Sequence, residues 1–168
     1  LEKVKKREPG ISEKRAKNVA FVEHMDDAIG RVLKVLEAEK LDKSTLVIFS
    51  SDNGGSLPHG ASNGPLREGK QDMYEGGIKV PTCFVWPGKI KPETQNNNLG
   101  LTMDLFPTLC EIAGVKINHE IDGISLAPSI LGKKQTTDNR TVFFMRREGG
   151  NYGGLCYYAA RRGEYKLL

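Results

Sequence analysis

Thr45-Leu46-Val47-Ile48-Phe49-Ser50-Ser51-Asp52-Asn53-Gly54-Gly55 decides the fold. Its apolar residues run without alternation, the pattern of a strand buried on both faces as in α/β sheets. Neighbouring residues on a strand point to opposite faces, but where the backbone turns both can reach one ligand. Gly54 and Gly55 supply such a turn, because glycine tolerates backbone conformations that side chains forbid. In open α/β sheets ligands bind beyond the carboxyl ends of the strands. The Asp52 carboxylate and Asn53 amide placed there are hard oxygen donors of the kind that calcium or magnesium takes. The plainer alternative is an Asx-turn, in which both side chains cap their own backbone.

Upstream, Ser12 is placed to cap a helix whose apolar residues Val19, Val22, Met25, Ile29, Val32, Leu33 and Leu36 recur in steps of three and four. That periodicity predicts an amphipathic helix ending near Lys40 with this face buried. His24, Asp26 and Asp27 lie along it and read as a charged helix surface rather than a metal or acid/base site. Residues up to about Gly10 read as irregular, and the cluster Lys3, Lys5, Lys6 and Arg7 as a solvated end.

Downstream, Gly54 to Gly77 is rich in glycine with interspersed Pro and Asn, the composition of a long functional loop. Lys70 lies among Gly64, Gly69, Gly76 and Gly77, so its ammonium can approach an anion such as sulfate or phosphate closely. Arg67, beside Pro65 and Leu66, reads as loop support. His59 is a candidate substrate contact or proton carrier. Glu75 is placed to fix the end of the loop through Lys79 or through its backbone. Pro81 to Trp86 follows as a second strand, closed by the turn Pro87-Gly88. A helix is predicted from Met103 to Ala113 with Thr102 as N-cap and Gly114 as C-cap. Ser125 to Leu131 is a short helical or irregular piece closing at Gly132. Thr141 to Met145, Tyr157 to Ala160 and the last residues from Tyr165 read as strands, with Gly149, Gly150, Gly153 and Gly154 around the intervening loop. Helices alternating with strands predict the α/β class.

Composition bounds the function. The 168 residues, 38% hydrophobic and 27% charged, suffice for a domain with a core. No apolar run approaches a membrane span, and no signal-peptide pattern opens the chain. A net charge of +4 without interleaved aromatic residues gives no reason to expect a nucleic-acid partner. Cys83, Cys110 and Cys156 show no metal-ligand spacing and imply no disulfide framework, and the first two read as buried fillers. Asn139-Arg140-Thr141 fits the N-glycosylation pattern, which a chance tripeptide also matches. No nucleophile elbow, phosphate-binding Walker loop or dinucleotide fingerprint is present.

Taken in order, the motifs resemble the sulfatase family of the alkaline-phosphatase-like superfamily. The resemblance is carried by residues 22–33, 45–54, Asn63-Gly64-Pro65-Leu66-Arg67-Glu68-Gly69-Lys70, Tyr74-Glu75-Gly76-Gly77-Ile78-Lys79-Val80-Pro81 and Asp104-Leu105-Phe106-Pro107-Thr108-Leu109. Asp122-Gly123-Ile124-Ser125-Leu126 and residues 161–167 extend it. It implies part of an alkaline-phosphatase-like mixed sheet flanked by helices, an incomplete fragment. Residues 1–17 then form a basic, irregular N-terminal segment, and residues 18–168 the C-terminal portion of a catalytic domain. It further implies that Asp52 and Asn53 bind calcium, or magnesium, and that Lys70 contacts the sulfate of a sulfated small molecule or carbohydrate.

The family hydrolyses sulfate esters with a formylglycine made from Cys or Ser in a Cys/Ser-x-Pro/Ala-x-Arg motif. No such motif occurs here: Cys83 is followed by Phe-Val-Trp, Cys110 by Glu-Ile-Ala and Cys156 by Tyr-Tyr-Ala. The nucleophile is therefore expected in an N-terminal half outside this chain, and the chain alone is expected to be inactive. Lys79 stands where the family often has Arg, and Glu68 where a small residue is common. A phosphonate or phosphate-ester hydrolase of the same superfamily, or a non-catalytic truncated product, are the alternatives. A periplasmic, secreted or lysosomal location is implied by the resemblance alone.

Overall fold

A computed structural model describes residues 1–137, 139–147 and 156–168. Gly149, Gly150, Gly153 and Gly154 lie outside the described residues. The chain begins with α1 (Glu2–Arg7), where the sequence reads as irregular. Val4 is buried, and Arg7 reaches Glu23 at 2.6 Å, so a contact with the next helix overrides the poor local signal. That helix, α2, runs from Glu13 to Ala38, and the Ser12 side chain accepts the Arg15 N–H as the sequence predicts. Its apolar face is covered only in part: Val19, Ile29 and Leu36 are half-buried, but Val22, Met25, Val32 and Leu33 are exposed, although the periodicity predicts burial. The pattern reports what a helix needs against it, and the described residues supply that incompletely.

Strands β1 (Val47–Ser50) and β2 (Thr82–Val85) pair antiparallel, with Phe49 opposite Cys83. Both are shorter than the sequence suggests, and β1 is half-buried rather than enclosed on two faces. Cys83 is exposed and Cys110 half-buried, a correction to the expected buried fillers. A two-stranded ladder leaves one face of each strand open, so Cys83 has nothing packed over it. His24, Asp26 and Asp27 lie exposed along α2, as a charged helix surface.

Between the strands lies the short helix α3 (Glu75–Ile78). After β2 the chain turns through Thr102–Asp104 into α4 (Leu105–Ala113), which ends at Gly114 with φ +70°, as expected. The start of α4 differs from the expectation: its N-cap is Asp104 rather than Thr102 and makes no side-chain cap bond, its carboxylate instead accepting the Leu101 N–H at 2.7 Å. The same carboxylate accepts the Ile124 N–H at 2.9 Å and receives Arg140 through two bonds of 2.6 and 2.8 Å. A fully buried carboxylate needs this many partners. The arrangement ties Leu101 and Ile124 to Arg140, just before the C-terminal sheet, and α5 (Ala127–Ile130) lies between Ile124 and Arg140 in sequence.

That sheet has β3 (Thr141–Arg147), β4 (Cys156–Arg162) and β5 (Tyr165–Leu167), ordered β3-β4-β5 and antiparallel throughout. Val142 and Ala159 face inward, while Phe143, Met145, Tyr158, Tyr165 and Leu167 are exposed on the other side. The accessible surface of the chain is 12718 Å². A compact protein of this mass would expose about 8,200 Å². The surplus includes the apolar sides of α2 and of the C-terminal sheet.

Candidate functional site

Two loop segments cross at the carboxyl end of β1. Gly54 donates its N–H to the Gly77 carbonyl at 2.9 Å, and Lys70 donates its backbone N–H to the Gly55 carbonyl at 3.1 Å. Gly76 donates to the Arg67 carbonyl at 2.8 Å. The backbones lie so close that a Cβ on Gly54 would overlap the Gly76 carbonyl, and one on Gly76 would overlap the Glu68 and Arg67 carbonyls. Gly54 and Gly76 are therefore packing requirements of the crossing. This crossing brings the Asp52–Asn53 segment and the Lys70 segment together.

Asp52 is exposed just beyond β1, and one of its carboxylate oxygens accepts the Asn53 N–H at 3.0 Å. Asn53 commits its amide nitrogen to the Gly54 carbonyl at 2.9 Å, and its own carbonyl accepts the Ser51 hydroxyl at 2.8 Å. The Asp52 and Asn53 side-chain bonds do reach their own backbone, but one residue on rather than the two residues on of an Asx-turn. They also hold two oxygen-bearing side chains next to one another at the mouth of the crossing. The donors suit a hard cation in kind, although calcium takes about six to eight oxygens. Among the described residues no group of three His, Cys, Asp or Glu side chains is arranged to hold a metal.

The Lys70 side chain is exposed, and its backbone is held on both sides by residues under strain. Glu68 has φ +60° and Gln71 φ +89°, a region that side-chain-bearing residues rarely adopt. The Gln71 carbonyl accepts Arg146 from β3 at 2.7 Å. Arg67 stacks on the Tyr74 ring with its guanidinium carbon 3.8 Å from the centroid, which bears out its reading as loop support. Glu75 does not pair with the Lys79 side chain. Its carboxylate meets Lys166 at 3.0 Å and Arg161 at 3.7 Å, so the C-terminal sheet fixes the end of the loop through a long-range contact that no local pattern signals. The Glu75 carbonyl does accept the Lys79 N–H, at 2.8 Å.

His59 sits in the turn Leu57–His59, exposed, with Nδ1 2.7 Å from the Ser56 hydroxyl. That contact leaves Nε2 as the ring atom for a ligand. Arg15 of α2 anchors the same turn through the Gly60 carbonyl at 3.0 Å. Sequence reading missed Asn63, whose carboxamide bonds both sides of the crossing. Its signal was the short spacing Gly-x₇-Asn-x₅-Gly, which only a known crossing makes meaningful.

A family model for sulfatase matches residues 2–115, and one for the N-sulphoglucosamine sulphohydrolase C-terminal region matches residues 69–168. N-acetylgalactosamine-6-sulfatase of Mus musculus is 38% identical over 151 residues, covering 86% of this chain and 27% of that protein. Steryl-sulfatase of Rattus norvegicus is 39% identical over 132 residues, covering 73% of this chain and 23% of that protein. The crystal structure of Ps i-CgsB in complex with k-i-k-neocarrahexaose superposes with a TM-score of 0.87 at 28% identity, covering 99% of this chain and 37% of that one. The chain thus spans about 27% of the length of the curated relatives it matches first. Its helices and antiparallel ladders are part of an alkaline-phosphatase-like α/β fold. With one model spanning its first 115 residues and another its last 100, the chain belongs to the sulfatase family.

Proposed function

We propose that the chain forms the electrostatic side of the active site in an enzyme that hydrolyses sulfate esters of sugars or aryl compounds. The observation that carries this reading is the crossing at which the Lys70 N–H meets the Gly55 carbonyl at 3.1 Å, next to Asp52 and Asn53. Asp52 and Asn53 would contribute a carboxylate and an amide oxygen to a calcium ion, the remaining ligands coming from outside these residues. Bound there, calcium would withdraw charge from sulfate oxygens. Lys70 places an ammonium, free to move on a four-carbon stem, where a sulfate would sit. Two strained residues and a cation–π stack hold its backbone, so little ordering remains to be done on binding. His59, turned by Ser56, offers Nε2 to the alcohol portion of the substrate. The formylglycine nucleophile would lie outside the chain, and the isolated chain would be inactive.

A phosphate or phosphonate ester hydrolase could use the same cradle, since an ammonium and a hard cation suit either tetrahedral anion. The names of the relatives above favour sulfate. The discriminating experiment compares an aryl sulfate with the matching aryl phosphate, using the complete enzyme with calcium and after chelation. Sulfate release that fades on chelation supports the reading. Preferential phosphate release, or turnover indifferent to chelation, overturns it.

A further inference from the structure

Asn63 bridges the two segments that the proposed function requires. Its Oδ1 accepts the Gly55 N–H at 2.7 Å, and its Nδ2 donates to the Gly55 carbonyl at 3.2 Å and to the Glu68 carbonyl at 2.9 Å. The carboxamide thus imitates a peptide group, pairing with both backbone polar atoms of Gly55 as a neighbouring strand would. Gly55 lies two residues beyond Asn53, and Glu68 two residues before Lys70. The Gly55 carbonyl also accepts the Lys70 backbone N–H, so Asn63 and Lys70 converge on one oxygen. A Cβ on Gly69 would come within 2.9 Å of the Asn63 amide nitrogen, so the carboxamide is packed tightly as well as bonded.

We infer that Asn63 is a positioning residue: it sets the separation between the Asp52–Asn53 segment and Lys70, and so the fit of the anion between cation and ammonium. The inference rests on the function proposed above. Asn63 touches neither ion nor substrate. Asn63 is the side chain that joins Gly55 to the Lys70 segment, beside the backbone-to-backbone bond from the Lys70 N–H. Asp at 63 would keep the acceptor for the Gly55 N–H and lose both donors, whereas Ala would lose all three bonds.

The test uses the complete enzyme with Asn63→Ala, Asn63→Asp and Lys70→Ala. It reads kcat and KM on an aryl sulfate, and the calcium concentration that gives half of the calcium-induced rise in Tm. A positioning role predicts a kcat lowered about 10–100-fold with Asn63→Ala and KM within about threefold of the parent. The calcium concentration for half-effect should rise, with Asn63→Asp between Ala and the parent in kcat. A role in folding alone would lower Tm and yield of active enzyme but leave kcat per active molecule and the calcium response intact, which would overturn the inference. If Asn63→Ala does not fold, Asn63→Asp decides by the same readouts; failure of both to fold also overturns it. Parent-like turnover by Lys70→Ala would instead strike the proposed function, whatever Asn63 does.

Discussion

Glu68 adopts φ +60° two residues before Lys70, a conformation that costs a residue with a Cβ about 1–2 kcal/mol. The sequence singled out Glu68 only as an odd occupant of a position where the family resemblance leads one to expect a small residue. The backbone explains the oddity, since a small residue, glycine above all, relieves the strain. Glu68→Gly is therefore expected to raise stability by up to about 1 kcal/mol, after the entropy that glycine adds to the unfolded chain. Denaturant unfolding of the parent and variant checks this; a loss of stability would show that the Glu68 side chain makes a contact that outweighs the strain. Asp52, Asn53 and Lys70 stood out as candidates because each combines a functional chemistry with a glycine-rich setting. Asn63 did not, since an amide side chain carries no signal until its partners, eight residues away in one case, are known, and Gln71 acts through its backbone, which its side chain does not announce.

At the scale of elements, the crossing of 54–55 with 67–77 positions everything else. The Gly76 Cα faces the Glu68 and Arg67 carbonyls so closely that any side chain must push the strands of the loop apart. Gly76→Ala is expected to cost about 1–3 kcal/mol of stability and to lower turnover of a sulfate ester by the complete enzyme about 100-fold. Thermal unfolding together with steady-state kinetics measures both, and a variant of unchanged rate would mean that Lys70 tolerates movement of its loop. Local patterns predicted α2, α4 and all five strands to within a few residues. Helix α1 and the partners of Glu75 escaped them, because Val4 packs through tertiary contact and Lys166 reaches Glu75 across 91 residues. Periodicity also specified a buried face on α2 that stays partly open. A sequence pattern states the demand for a partner without showing where the partner is.

Over the whole molecule, a surface of 12718 Å² against about 8,200 Å² for a compact protein of this mass leaves large apolar areas uncovered. Phe21 is 72% exposed, Phe143 76% and Tyr165 86%. Together with the open edges of a two-stranded and a three-stranded sheet, these areas predict that the 168-residue chain self-associates in isolation. Sedimentation at rising concentration should show a growing mean mass, and a monomer that persists at high concentration would contradict this. The same incompleteness bears on function, because Asp52 and Asn53 supply too few oxygens for a tight calcium site alone. The isolated chain should gain almost nothing in Tm from millimolar calcium. The central claim is that Lys70 and the Asp52–Asn53 segment, held at one crossing, act together on a sulfate ester. Its most direct test is the kcat of the complete enzyme on an aryl sulfate before and after Lys70→Ala. The account predicts a fall of about 100–1,000-fold with the fold intact, and a variant that turns over at the parent rate would contradict it.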